Sequence, residues 1–293
     1  MWQQLKIQVE SEKAVKLEEK LLEAGAISIS FLDAKDQPIF AEELGSIFLW
    51  QQTYILALFN HSTNLDSLIS ELNKDLSITN SNKLEIIEIQ DQNWQEKWKK
   101  DFKPINFGKN LWICPSWEPP PDPSATNIIL DPGLAFGSGN HITTSLCLKW
   151  LAQFLVEGSK VVDYGCGSGV LSIASAMLGA SKIYAVDNDP QAITATIDNS
   201  LKNRLDRDTI TTYLPEALPE IKADILLANI LAKPLIDLAE HFSGKLRPGG
   251  HIVLSGILRD QTTLICDHYE KWFSIENSII EQDWALLTGT RKT

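Results

Sequence analysis

Residues 161–169 read Val161-Val162-Asp163-Tyr164-Gly165-Cys166-Gly167-Ser168-Gly169, and the stretch Tyr184-Ala185-Val186-Asp187-Asn188-Asp189 follows, with Asp187 twenty-two residues after Gly165. Together they decide the fold. An apolar run ending at Asp163 reads as a buried strand, and the glycine-rich turn after it lets the backbone approach a ligand closely. Val170 to Leu178 reads as a helix, and Lys182 to Val186 as a second strand. That strand ends in a carboxylate able to hold two ribose hydroxyls. An ordinary β-α-β turn can carry glycines without a ligand; the acid at the end of the next strand is what favours a nucleotide-like site.

The glycine spacing separates two cofactors. A dinucleotide fingerprint needs Gly-x-Gly-x-x-Gly or Ala, the last for close helix–strand contact. Here Val170 stands at that sixth position, and the pattern is Asp-x-Gly-x-Gly-x-Gly. That form is typical of S-adenosylmethionine sites, where no pyrophosphate has to sit on the helix N-terminus.

Outward from this unit, the chain alternates strand and helix from residue 127 onward. The readings are Asn127–Leu130, a helix after Thr143, Lys160–Val162, Val170–Leu178, Lys182–Val186, Pro190–Leu201, Asp224–Ile230, Lys233–Phe242 and His251–Ser255. Short apolar strands between helices predict an α/β, mostly parallel, Rossmann-like sheet covered on both faces. Trp284–Thr290 reads as a late strand after a long gap, expected at an edge.

Residues 1–90 predict a separate unit. Leu5, Ile7 and Val9 alternate as a strand, while Ala14, Leu17, Leu21 and Ala24 recur at helical spacing up to Gly25. Ala26–Leu32 and Thr53–Phe59 follow as strands. Leu65, Leu68, Ile69, Leu72 and Leu76 mark a second helix, capped by Thr63 or Asn64. Leu84, Ile86 and Ile89 close the order β-α-β-β-α-β, a small ferredoxin-like α+β domain. Between the units, Trp94, Trp98 and Phe102 share one face of a linker helix, residues 91–104, before Pro104. That stripe reads more simply as packing on a domain than as a recognition surface. Residues 105–293 form the second domain, with Trp117–Pro123 as a proline-rich loop.

Bulk properties narrow the function classes. The 293 residues are 44% hydrophobic and 22% charged, ordinary for a soluble globular protein. No run of eighteen apolar residues marks a membrane span, and the N-terminus lacks a signal peptide's apolar core. Cys114, Cys147, Cys166 and Cys266 are widely spaced, form no zinc-ligand pattern, and read as free thiols of a cytoplasmic protein. No metal site is expected. The net charge is −12, and residues 1–90 carry seven Lys against fourteen Asp plus Glu, with no Arg before Arg204. This disfavours direct nucleic-acid binding and favours a protein-docking role for the N-terminal unit. Nothing in the sequence calls for an oligomer, so a monomer is the expectation.

Four segments should meet at the carboxyl ends of the strands. Asp187 would hold the ribose, and Asp163 and Gly165, with Gly167 in the same turn, would face the methionine portion. Asn229, in Leu-Leu-Ala-Asn-Ile-Leu-Ala, ends the next strong strand and could accept a hydrogen bond from an amine nucleophile, or be only a turn residue. The loop Asp131–Thr144 has three glycines and could close over a ligand. Thr143 could be only a helix cap, Asp189 reads as a cap before Pro190, and His141 reads as a loop hydrogen-bonder rather than a base. Asn229-Ile-Leu-Ala lacks the Pro-aromatic pair that would stack on a flat substrate, which points to a tetrahedral amine.

With these residues assembled, the chain resembles the bacterial ribosomal protein L11 methyltransferase family (PrmA) over nearly its whole length. The turn Asp-Tyr-Gly-Cys-Gly-Ser-Gly, shared by many methyltransferases, is weakly specific. The loop Phe-Gly-x-Gly-x-His-x-Thr-Thr joined to Asn-Ile-Leu-Ala is far more so. Val-Asp-Asn-Asp-Pro-Gln-Ala and Leu-Arg-Pro-Gly-Gly also look like family signatures. The resemblance implies a class I methyltransferase using S-adenosyl-L-methionine, which methylates lysine side chains and the N-terminal α-amine of one large-subunit ribosomal protein by direct in-line transfer. It implies cofactor contacts from Thr144, Gly165, Asp187 and Asn229, with Asn229 also near the incoming amine as the catalytic residue. It further implies substrate recognition by the N-terminal domain. Ser138, Asn140 and Ile142 depart from the family loop, and losing a proline at 142 removes a fixed φ near the helix start. Competing readings are a methyltransferase for another amine, an rRNA methyltransferase, and a non-catalytic module that keeps the fold.

Overall fold

The computed structural model describes residues 2–35, 50, 52–76, 84–89, 102–131, 141–206 and 208–293. The chain divides into two compact units, Met1–Trp98 and Lys99–Thr293. The expected linker stripe at Trp94 and Trp98 lies outside the described residues, as does most of the Asp131–Thr144 loop.

In the first unit, β1 (Trp2–Glu10), α1 (Ser11–Glu23), β2 (Ser28–Asp33), β3 (Gln52–Asn60), α2 (Leu65–Leu76) and β4 (Leu84–Ile89) follow in order. The strands pair antiparallel in the order β2-β3-β1-β4, the ferredoxin-like arrangement. Leu5, Ile7 and Val9 of β1 face Ile55, Ala57 and Phe59 of β3 and the helical Ala14, Leu17, Leu21, Leu65, Leu68 and Leu72. Helices therefore cover one sheet face, which is why alternate residues are buried. Past α1 the chain bends at Gly25, with Ala26 N–H bonding Leu21 O at 2.9 Å. Asn64 Oδ1 accepts the Ser67 N–H at 3.2 Å, so Asn64 rather than Thr63 caps α2.

The second unit begins with a three-stranded sheet of β5 (Ile105–Asn106), β6 (Leu111–Cys114) and β7 (Thr126–Ile129). The strand expected at Asn127–Leu130 is thus real but does not belong to the parallel core sheet. Its apolar side chains fit either sheet; pairing with β6 decides. Across from β6, Ile129 N–H donates to Asn203 Oδ1 at 2.7 Å, and Asn203 Nδ2 donates back to Ile129 O at 2.8 Å. A side chain thereby satisfies backbone groups that another strand would otherwise take.

The core sheet has seven strands. They are β8 (Lys160–Tyr164), β9 (Lys182–Val186), β10 (Ile210–Tyr213), β11 (Ala223–Asn229), β12 (Leu246–Leu258), β13 (Phe273–Glu281) and β14 (Trp284–Arg291), in the order β10-β9-β8-β11-β12-β14-β13. The first five run parallel, while β14 is antiparallel to both β12 and β13. The helices are α3 (Ile142–Phe154), α4 (Val170–Met177), α5 (Pro190–Lys202), α6 (Ala232–Lys245) and α7 (Thr262–Tyr269). Along β11, Ile225 and Leu227 join the cluster of Leu146, Leu151 and Ile173, whereas Leu226 and Ala228 join that of Leu235, Phe242 and Tyr269. Successive residues are buried on opposite faces, so the strand reads as a continuous apolar run.

The Trp284–Thr290 strand is not at the edge: β14 lies between β12 and β13, and β13 is the outer strand. β12 runs as far as Leu258, and its far side needs a hydrogen-bonding partner along that length, which β14 supplies. Among the described residues no helix is long and apolar enough to cross a membrane.

Candidate active site

The sheet order reverses between β8 and β11: from β8 the chain winds outward through β9 and β10, then returns to β11 and β12. Such a switch leaves a crevice at the carboxyl ends of the strands. A cavity of about 570 Å³ opens there. Its wall includes Gly165 after β8, Asp187 and Asn188 after β9, Pro215 after β10, Asn229 at the end of β11 with Ile230 after it, and Gly256 of β12.

Three of the six candidate residues, Gly165, Asp187 and Asn229, line the cavity; Gly167 and Thr144 are not in the wall but bond to Asp187 and Asn229, and Asp163 is buried in β8 just before Gly165. Gly165 and Cys166 donate their N–H groups to Val186 O at 2.7 and 3.0 Å, tying the glycine turn to β9. Gly167 N–H donates to Asp187 Oδ2 at 2.9 Å, and Asp189 N–H to Asp187 Oδ1 at 3.0 Å. Two backbone donors thus fix the carboxylate while each oxygen keeps acceptor capacity. Asn229 Nδ2 donates to Thr144 Oγ1 at 3.2 Å, joining the end of β11 to the first turn of α3.

Asp163 has no exposed surface. Ser172 Oγ donates to its Oδ2 at 2.6 Å, while Oδ1 has no hydrogen-bond partner among the described residues. Burial pushes its carboxyl up to about 6; hydrogen bonds from Ser172 oppose the shift and the charge of Asp187 adds to it. Cys166 is buried, its thiol raised by burial and hydrogen-bonded with Thr196 Oγ1, so it is a packing residue and a poor nucleophile. The four cysteines are free thiols.

Asp189 Oδ1 accepts the Gln191 N–H at 2.8 Å and caps α5, as its place before Pro190 suggests. The cap of α3 is His141, not Thr143: His141 Nδ1 lies 2.7 Å from Thr143 Oγ1 and 3.4 Å from Thr143 N.

Several wall residues carry no local sequence signal. Trp284 packs edge-on against His141, with ring centroids 4.9 Å apart at 74°. Ile230, Leu231, Pro234 and Leu238 form an apolar side, with Leu231 71% exposed. Gly256 could have been suspected as a glycine near a strand end, since such residues often mark close backbone approach; nothing in the sequence places Trp284 beside it.

An apolar wall with a few convergent polar groups is the usual form of a small-molecule site. An acceptor-only carboxylate suits a ribose diol, and the bare Gly165 leaves room for backbone-level contact. The residues present fit S-adenosylmethionine. The fold and this crevice define an S-adenosylmethionine-dependent methyltransferase of class I.

The comparisons agree. The family model described as ribosomal protein L11 methyltransferase (PrmA) matches residues 1–292. A ribosomal protein L11 methyltransferase of Marinobacter nauticus is 45% identical over 294 residues, covering 99% of each chain. That of Shewanella sp. strain ANA-3 is 46% identical over 295 residues, again 99% of each. The crystal structure of a ribosomal protein L11 methylase from Lactobacillus delbrueckii subsp. bulgaricus aligns with a TM-score of 0.60 and 34% identity, over 66% of this chain and all of that one. The chain belongs to the ribosomal protein L11 methyltransferase (PrmA) family.

Proposed function

We propose that this enzyme methylates ribosomal protein L11 on lysine side chains and on its N-terminal α-amine, acting as a cytoplasmic monomer without direct nucleic-acid contact. The observation that carries the reading is full-length similarity to relatives named for that reaction. The acidic charge of −12 suits a basic protein substrate rather than nucleic acid.

When bound, S-adenosylmethionine supplies an already activated sulfonium methyl. The protein's task is to place and desolvate the amine. Asp187 would hold the ribose by charge-assisted hydrogen bonds, each contributing about 1.5–3 kcal/mol. Gly165 and Gly167 would bring the turn backbone close to the methionine portion, with Asp163 near the end of the strand that leads into the turn, and Thr144 would hold Asn229 in place. Because Asn229 Nδ2 is engaged by Thr144, Oδ1 is directed elsewhere and can accept an N–H from the incoming amine. That bond orients the amine without removing its proton.

The nucleophile must be neutral. Deprotonating a free lysine at pH 7 costs roughly 4–5 kcal/mol, and an α-amine about 1 kcal/mol. The apolar side formed by Ile230, Leu231, Pro234 and Leu238 favours the neutral amine by desolvation. The ferredoxin-like unit recognises L11, and residues 91–104 join it to the catalytic unit.

Intact-mass measurement of all ribosomal proteins after incubation with enzyme and S-adenosylmethionine tests the reading. Methyl-sized mass steps on L11 alone are expected. Cofactor binding without any modified ribosomal protein would move the assignment to another amine substrate.

A further inference from the structure

Two glycines, one just after β8 and one within β12, close on one residue of the cavity wall. Gly165 follows β8 with φ +81°, and Gly256 lies in β12, also with φ +81°. A Cβ on Gly165 would stand 2.2 Å from Ile230 Cγ2. A Cβ on Gly256 would stand 2.3 Å from Ile230 O and 2.8 Å from its carbonyl carbon. The side chain of Ile230 is thus pressed against the cofactor turn, and its main chain against β12. The residue before it, Asn229, is tied to α3 through Thr144. Three elements of the sheet and one helix meet on two consecutive residues.

Resting on the function proposed above, we infer that Ile230 is a positioning residue: a spacer that sets the separation between the glycine turn and the segment that receives the amine. Gly165, Asn229, Ile230 and Gly256 all line the same cavity. Both glycines adopt left-handed φ, and at both a Cβ would collide with this one residue. The contact with the turn is made by Cγ2, the methyl borne directly on Cβ. A β-branched side chain holds that methyl stiffly. Valine keeps it; leucine, with nearly the volume of isoleucine, does not. Ile230 is only half-buried, so simple core packing would tolerate leucine at least as well as valine. A spacer would not, because an error on the order of 1 Å in the attack geometry can cost about a hundredfold in rate.

The experiment compares wild type, Ile230→Val and Ile230→Leu in steady-state methylation of L11, with cofactor dissociation constants and melting temperatures measured in parallel. Ile230→Leu should lower kcat by at least about tenfold, with cofactor affinity within about threefold of wild type. Ile230→Val should exceed Ile230→Leu in kcat by at least about fivefold. Equal kcat for the two folded variants would overturn the inference. So would a loss of kcat matched by an equal loss of cofactor affinity, since Ile230 would then only shape the cofactor pocket. Gly256→Ala provides an independent check if Ile230→Leu does not fold. It pushes on the Ile230 carbonyl with the side chain intact, and should lower kcat with cofactor binding retained; wild-type kcat would count against the spacer. Failure of the wild-type enzyme to methylate L11 would overturn the substrate reading and this inference with it.

Discussion

β1 and β11 are both interior strands of their sheets, yet they bury differently. β1 alternates, with Leu5, Ile7 and Val9 buried and Gln4, Lys6 and Gln8 only half-buried on the other side. β11 buries Ile225, Leu226, Leu227 and Ala228 in succession. Helices lie on one face of the first sheet and on both faces of the second. The difference explains where a site can form. In the first sheet both crossover helices, α1 and α2, pack on the same face, so the crossovers do not change side and no switch-point crevice arises. A parallel sheet needs crossovers on both faces, and their reversal between β8 and β11 opens the cavity.

The comparison can be broken most directly through stability. Leu226 is wholly buried against α6 and its neighbours. Leu226→Ala should cost about 2–5 kcal/mol, whereas Leu56→Ala, half-buried on the face of β3 that none of the described helices covers, should cost only about 1 kcal/mol. Urea titrations followed by circular dichroism measure both. Similar costs would mean that Leu56 is packed as tightly as Leu226.

Asp163 sharpens the same contrast, since its carboxyl has no exposed surface within the doubly covered sheet. Its folded-state value of about 6 lies above the ordinary 3.8, so the folded chain holds a proton that the unfolded chain releases between those limits. Its contribution to stability therefore falls as pH rises from about 4 to about 6 and is level above. Asp163→Asn should remove that fall. Urea midpoints measured from pH 4 to 7 should converge for the two proteins at the acid end and separate toward neutrality, with the variant higher. Parallel curves would refute the assignment.

A smaller effect concerns the cofactor. Asp187→Ala should weaken S-adenosylmethionine binding at least tenfold, about 1.4 kcal/mol, in a calorimetric titration. Leu56→Ala should leave it untouched. Undiminished affinity in Asp187→Ala would remove the carboxylate from the ribose site.

Where the local pattern was strong, the elements were legible. The unit from Lys160 to Val186 is a strand, a glycine turn, a helix and a strand as read, because the turn chemistry and the apolar runs are all local. The middle of β13 was not legible: Glu276, Asn277, Ser278, Ile279 and Ile280 are all exposed, so no alternation marks the strand, and a bulge between Ile275 and Asn277 interrupts its register. The apolar run Asn127–Leu130 marks a strand but not its sheet, since an apolar run does not name its partner, and the strand pairs with β6. In the site, Asp187 and Asn229 were visible as polar residues ending apolar strands. Trp284 and Ile230 were not, because apolar side chains of a cavity look like those of a core.

Local spacing, within a few residues or on the next strand, marks the two kinds of sheet, the glycine turn with its acidic partner and hence the cofactor class. That β14 lies inside the sheet, that His141 meets Trp284, and that Gly165 and Gly256 close on Ile230 emerge only when the chain is folded. Those contacts join residues far apart in the chain, and which of them form depends on strand order and crossover geometry that no local pattern encodes.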